Sequence, residues 1–134
     1  MHEPIIYYAE DDLDDLYIFQ LAFEKAPGTR IRHFGNGAEL LEALAAAPEA
    51  EHPCLIVLDL NMPQLDGRET LAVLRSTPGY QHLPVLLFTT SNSVVDRSFA
   101  GQWGVELITK PILFEEMEAL ALQLADRCRG ALSS

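Results

Sequence analysis

Basic residues are scarce in this chain. Nine Lys and Arg stand against 20 Asp and Glu in 134 residues, for a formal net charge of -11. That shortage excludes a large phosphate-backbone contact, which needs clustered cations, so no nucleic-acid partner is expected. It fits binding of a cation or of a partner with a basic face, and it also serves plain solubility. Cysteine is scarcer still: Cys54 and Cys128 cannot make a disulfide framework. Cys54 lies in an apolar run and reads as a small buried hydrophobe rather than a ligand or nucleophile. His2, His33, His52 and His82 form no pair at metal-ligand spacing, which leaves them structural or surface roles. No apolar run approaches the roughly 20 residues of a bilayer span, so no membrane partner is expected. The opening stretch, MHEPIIYYAEDD, lacks the basic segment and small-residue cleavage site of a signal peptide. A cytoplasmic location is the expectation. Internal linkers, low-complexity tracts and repeats are also missing. The length therefore suits one ordinary domain with a proper core.

What the chain does have is an alternation of short apolar runs and amphipathic stretches. Apolar runs occur at Ile5–Ala9, Leu55–Leu58, Pro84–Phe88 and Val105–Ile108, with a weaker, partly alternating one at Arg30–Phe34 that suits an edge. Continuous apolar runs suit strands buried on both faces, as in a parallel sheet. Between them, helical faces are marked by Leu16, Phe19 and Phe23; by Leu40, Leu41 and Leu44; by Leu71 and Leu74; by Val95 and Phe99; and by Met117, Leu120, Ala121 and Leu124. Pro and Gly fall between the elements. The pattern predicts an α/β fold with helices on both faces of a five-stranded parallel sheet, a (βα)5 three-layer sandwich. Analogy with flavodoxin-like folds supplies the strand order 2-1-3-4-5.

In such a sheet, ligands bind beyond the carboxyl ends of the strands. The polar residues that end the strands are Glu10, Asp11 and Asp12 on the first, Asp59 on the third, Thr89 on the fourth and Lys110 on the fifth. Glu10 to Asp15 hold five carboxylates in six residues, between two apolar stretches. Acids this crowded resist burial, and their place is the lip of the core. Three clustered carboxylates raise one another's pKa unless a cation neutralises them. Oxygen donors without His or Cys favour a hard ion such as Mg²⁺. A Lys and a hydroxyl opposite them suit phosphoryl oxygens. The set suggests phosphoryl transfer to a carboxylate, giving an acyl phosphate. Asp12, Asp14 and Asp15 are read instead as capping the first helix and complementing its dipole. Thr90, Ser91 and Ser93 suit helix-capping roles.

Four motifs, AEDD, LDLNMPQLDG, LLFTTS and LITKP, and their spacing resemble the receiver domain of two-component response regulators, over about residues 5 to 124. The resemblance implies that Asp59 is phosphorylated by a sensor histidine kinase or a phosphotransfer protein. It makes Asp11, Asp59 and the carbonyl of Asn61 ligands of Mg²⁺, with Glu10 acting through water. Thr89 becomes the switch hydroxyl and Lys110 its phosphoryl-binding partner. Pro63, Gly67 and Pro111 become turn residues, and the Lys110–Pro111 bond matches one that is cis in the family. Leu107 stands at a readout position where the family often has Tyr or Phe. The segment from Gly104 to Lys110 looks one residue shorter than usual. The resemblance also implies a signalling protein rather than a conventional enzyme. Its face of helix 4, strand 5 and helix 5 would bind an unknown target or a second copy as a homodimer. The expected organisation is one receiver domain over 1–134, with its core at 5–127 and a short tail at 128–134, and no output domain. Relay, target binding and phosphate-sink roles all fit. A haloacid-dehalogenase-type phosphatase would want Asp where Asn61 stands. A flavodoxin-like FMN site would want Ser, Thr or Gly where the acids stand. A degenerate, binding-only receiver would not keep Asp59, Asp11 and Lys110.

Overall fold

The computed structural model describes residues 3–91 and 93–133; His2 lies outside them. The elements follow in the order β1 (Ile5–Ala9), α1 (Leu13–Ala22), β2 (Arg30–Phe34), α2 (Gly37–Ala46), β3 (Leu55–Asp59), α3 (Gly67–Ser76), β4 (Val85–Thr89), α4 (Val94–Trp103), β5 (Glu106–Thr109) and α5 (Phe114–Ser133). All five strands are parallel, in the order β2-β1-β3-β4-β5. Every residue of β3 and β4 is buried, as strands covered by helices on both sides must be. β2 alternates in exposure and lies on the edge, where its arginines reach water.

Successive strand residues feed opposite faces. Ile6, Tyr8, Val57 and Phe88 pack with α1 and α5, through Phe19, Met117, Leu120, Ala121 and Leu124. Tyr7, Ala9, Ile56, Leu58 and Leu87 pack with α2, α3 and α4, through Leu40, Leu44, Leu71, Leu74 and Ala100. The helix starts are fixed by side-chain caps. Asp12 accepts the amides of Asp14 and Asp15, Asp66 and Glu69 form a reciprocal capping box, and Ser93 accepts the amide of Asp96.

α4 departs from its predicted face. Val95 is 72% exposed, whereas Asp96 and Ala100 turn inward. A buried carboxylate broke the apolar spacing, and it is tolerated because Arg68 of α3 pairs with it. The cysteines depart further. Cys54 and Cys128 are joined in a disulfide across 74 positions, with their Cα atoms 5.3 Å apart. Cys128 extends the buried stripe of α5 one turn past Leu124, so the expected tail from 128 continues the helix to Ser133. Two cysteines this distant in sequence meet only through the tertiary fold. Among the described residues no helix is long and apolar enough to cross a membrane.

Closing a loop of this length restricts the unfolded chain and is worth about 4 kcal/mol, a large share of the ~5–15 kcal/mol by which domains are stable. The double variant Cys54→Ala/Cys128→Ala is expected to lose stability of that order in urea unfolding. Dithiothreitol should reproduce the loss in the parent and leave the variant unchanged.

Candidate functional site

The carboxyl ends of β1, β3 and β5 bring together residues that are up to 100 positions apart. The Lys110 ammonium lies 2.7 Å from Glu10 Oε1, 2.7 Å from Asp15 Oδ2 and 2.6 Å from Asp59 Oδ2. The backbone sets this up. The Lys110 amide donates to the Thr89 carbonyl at 2.8 Å, so the β4–β5 ladder carries Lys110 one step beyond β5 and over the sheet edge.

Each carboxylate is held from a second side. The Tyr8 hydroxyl donates to Glu10 Oε1 at 2.8 Å and the Asp12 amide to Oε2 at 3.2 Å. His33 of β2 contacts the Glu10 carbonyl at 2.6 Å. Asp59 is 5% exposed, and its Oδ1 accepts the Asn61 amide at 2.7 Å. The loop that follows is tightly folded. A Cβ on Gly67 would sit 2.4 Å from the Asp59 carbonyl oxygen, so only glycine lets α3 start this close. Gln64 takes a left-handed φ of 61°, and its side-chain oxygen accepts from Asn36 at 3.0 Å. Pro63 precedes it, exposed in the same loop.

Burial pushes the Glu10 carboxyl up to about 7, helped by its hydrogen bond with Asp59, while Lys110 and Tyr8 oppose the rise. Burial also raises the Tyr8 hydroxyl, and the adjacent Glu10 charge adds to that, so Tyr8 stays a neutral donor. For Lys110 burial acts downward, yet its hydrogen bonds to Asp15, Asp59 and Glu10 outweigh it and raise the ammonium.

A cleft of about 220 Å³ opens above these groups, lined by Glu10, Asp11, Asp12, Asp15, Asp59, Asn61, Thr90 and Lys110. The predicted residues Glu10, Asp11, Asp59, Asn61 and Lys110 therefore do converge. Thr89 is buried and turned aside: its hydroxyl donates to the Ser91 carbonyl at 2.8 Å and accepts the Ser91 amide. Its neighbour Thr90 lines the cleft instead. Leu107 is half-buried and packs into the core on the α2–α4 side. Pro111 follows Lys110, and the bond between them is trans, against expectation. Trans is the lower-energy form of such a bond, and from it the ammonium already reaches three carboxylates.

Asp15 also corrects its reading. Its amide does meet the cap at Asp12, but its carboxylate belongs to Lys110. The signal was available, because Asp15 stands four residues before the buried Phe19 and so on the same side of α1. Oxygens of Glu10, Asp15 and Asp59 lie within 4.8 Å of one another. Five acidic residues against one ammonium leave the cleft strongly negative. An all-oxygen donor set with surplus charge fits a hard divalent cation such as Mg²⁺.

The sequence profile of the response regulator receiver domain matches residues 6–122. A probable transcriptional regulatory protein of Mycobacterium tuberculosis, TcrX, is 34% identical over 121 residues, covering 86% of this chain and 47% of its own. Response regulator Rre1 of Synechocystis is 36% identical over 129 residues, covering 95% of this chain and 54% of its own. The chain thus spans about half the length of these two relatives. Among solved structures, phosphorylated cyanobacterial phytochrome response regulator RcpA superposes with a TM-score of 0.84 at 27% identity, covering 98% of this chain and 96% of its own. The Mn²⁺-bound form of response regulator Rcp1 gives 0.77 at 26% identity, over 90% of this chain and 91% of its own.

Because the folded protein holds the Glu10 proton more tightly than the unfolded chain does, stability from this group falls as pH rises from about 4.5 to about 7 and is level beyond. In chelator, Glu10→Gln should gain on the parent across that window by about 3 kcal/mol. Paired urea titrations at several pH values check this; a difference that stays flat with pH contradicts it.

Proposed function

The chain belongs to the response regulator receiver family, and from that premise we propose that it accepts a phosphoryl group on Asp59 from a sensor histidine kinase or a histidine phosphotransfer protein. Receiver domains are signalling proteins, and signalling is the role proposed for this one, in the cytoplasm and as a single domain through residues 1–134. The observation that carries the reading is the state of Asp59. Its carboxylate ends a fully buried strand, with one oxygen held by the Asn61 amide and the other by Lys110, at the floor of an acidic cleft.

One Asp59 oxygen attacks phosphorus in line, an acyl phosphate forms, and the P–N bond breaks with its electron pair going to the donor imidazole. Asp59, Asp11 and the Asn61 carbonyl, with Glu10 through water, would hold Mg²⁺, which would neutralise the clustered carboxylates and phosphoryl oxygen. Asp15 is added to that set, since its carboxylate faces the same centre. Lys110 trades its contact with Asp59 Oδ2 for a phosphoryl oxygen, while Glu10 and Asp15 keep its ammonium aimed. Tyr8 and the Asp12 amide stop Glu10 from turning away as the charges rearrange.

Phosphorylation adds roughly -1.5 to -2 charge. A Thr89 hydroxyl drawn to the new oxygens leaves its paired bonds with Ser91, two residues before the cap that starts α4. The α4–β5–α5 face then shifts between two arrangements. On that face Val94 and Val95 are exposed on α4, and Arg127 of α5 meets Glu106 of β5. It is the surface offered to a downstream protein or to a second copy of the chain. Leu107 under this face transmits through packing, without an aromatic rotamer change.

Acetyl phosphate with Mg²⁺ is expected to add one phosphoryl group, seen by intact mass, and Asp59→Asn to abolish the addition. Labelling that persists in Asp59→Asn sinks the assignment. Lys110→Ala should still bind Mg²⁺ by titration calorimetry yet lose most of the phosphorylation-driven amide shifts on α4. Full shifts in that variant would remove Lys110 from the switch.

A further inference from the structure

We propose that Cys54 and Cys128 form a reversible redox site, through which a thiol reductant sets how firmly the end of α5 is held to the sheet. The two cysteines are bonded to each other and differ in access. Cys128 is 1% exposed, on the inner side of α5. Cys54 is half-buried, directly before the first residue of β3. It lines a cavity of about 400 Å³ together with Glu49, Glu51, His52, His82 and Pro84. This cavity lies at the amino-terminal edge of the sheet, at the other end of β3 from Asp59. His52 Nδ1 is buried with no hydrogen-bond partner among the described residues.

The fold does not require a permanent staple. Apolar clusters fill both faces of the sheet, and Leu120, Ala121, Leu124 and Ala125 seat α5 without sulfur. In a reducing cytoplasm such a bond is transient, and usually redox-sensing or catalytic; this step rests on the cytoplasmic location proposed above. A dithiol reductant attacks the accessible Cys54 sulfur, the S–S bond breaks, and its electron pair leaves on Cys128, which takes a proton. The second thiolate of the reductant then attacks the mixed disulfide, releasing Cys54, which is protonated in turn. The protein gains two electrons and two protons, and the reductant ends as a disulfide. The covalent tie between the end of α5 and the start of β3 is then gone, and the exposed pair of Arg127 with Glu106 contributes weakly in water. β3 thus carries a phosphoryl site at one end and a thiol site at the other, and α5 belongs to the proposed signalling face.

The test uses the whole native protein without denaturant. It is incubated with reduced glutathione or with a thioredoxin-class dithiol protein, trapped with N-ethylmaleimide and weighed intact. Two alkyl groups are expected, and oxidised glutathione should restore the bond. Amide exchange over residues 124–130 should be about tenfold faster in the reduced form. A bond that yields only in urea is a structural staple and overturns the proposal. So do thiols that stay free in oxidised glutathione, or identical exchange in the two states. Cys54→Ala/Cys128→Ala must be indifferent to the reductants, and a response in it also overturns the proposal. Phosphoryl uptake, measured in both redox states, is a separate readout: its absence would count against the Asp59 reading and not against the thiol chemistry.

Discussion

A single ammonium among three carboxylates governs this structure. Lys110 is nearly out of water, as are Glu10 and Asp59, and Asp15 is about one-third exposed. One positive charge cannot balance three negative ones in a medium that screens poorly. The protein accommodates the excess partly by holding a proton on Glu10, whose carboxyl is shifted up to about 7. A buried charge cluster of this kind is weak evidence for stability, because desolvation offsets much of the attraction. It is better understood as a site left short of positive charge. A divalent cation would supply that charge, and under the proposed function a phosphoryl group would then give Lys110 a new anion to hold.

The rest of the fold keeps this shortage from relaxing. If α1 could drift, Asp15 would move into water and the repulsion would fall. The Asp12 cap prevents that by fixing the first turn through the amides of Asp14 and Asp15. If Glu10 could rotate, it would follow, and the Tyr8 hydroxyl with the Asp12 amide holds both of its oxygens. Tyr8 is in turn packed against Phe19 and Phe88. The apolar core between α1, α5 and the sheet therefore sets the geometry of the charges above it. Packing and electrostatics oppose each other here, and packing wins because it is spread over many side chains.

Most of the fold was legible because it rests on periodicity. Arg30–Phe34 was recognisable as an edge by its alternation, and β3 and β4 as central by their lack of it. The faces of α2, α3 and α5 followed from apolar spacing. α4 did not, since its inward positions include Asp96, whose partner Arg68 lies 28 residues away. Pairing across such a distance has no local signature. The same limit hid the disulfide, whose cysteines meet only once α5 lies across the start of β3. At the site, the strand-end residues Glu10, Asp59 and Lys110 were found because the topology collects strand ends. Asp15 was grouped with Asp12 and Asp14 as a local cap, although its spacing from the buried Phe19 places it on the inner side of α1, toward Lys110. The Lys110–Pro111 bond was expected to be cis from resemblance alone; the residues themselves carried no signal for it.

Leu107 shows how the remaining parts fit together. It pairs with Leu87 of β4 and packs into the α2–α4 core. Thr89 lies two residues after Leu87 on the same strand, so both alternate to the same side of the sheet. Were Thr89 drawn toward the cleft as the proposed switch has it, the layer that Leu107 helps to fill would have to repack. An aromatic ring at 107 could swing between core and solvent as that layer tightened. A leucine has less reach, and densely packed interiors respond to small displacements by shifting their neighbours. Those neighbours are the inner residues of α4, where Asp96 is bonded to Arg68. Without an aromatic lever, the proposed route from Asp59 to the surface would run through the position of α4 as a body. The Asp96–Arg68 pair, which anchors α4 to α3, would then be the constraint such a movement must work against.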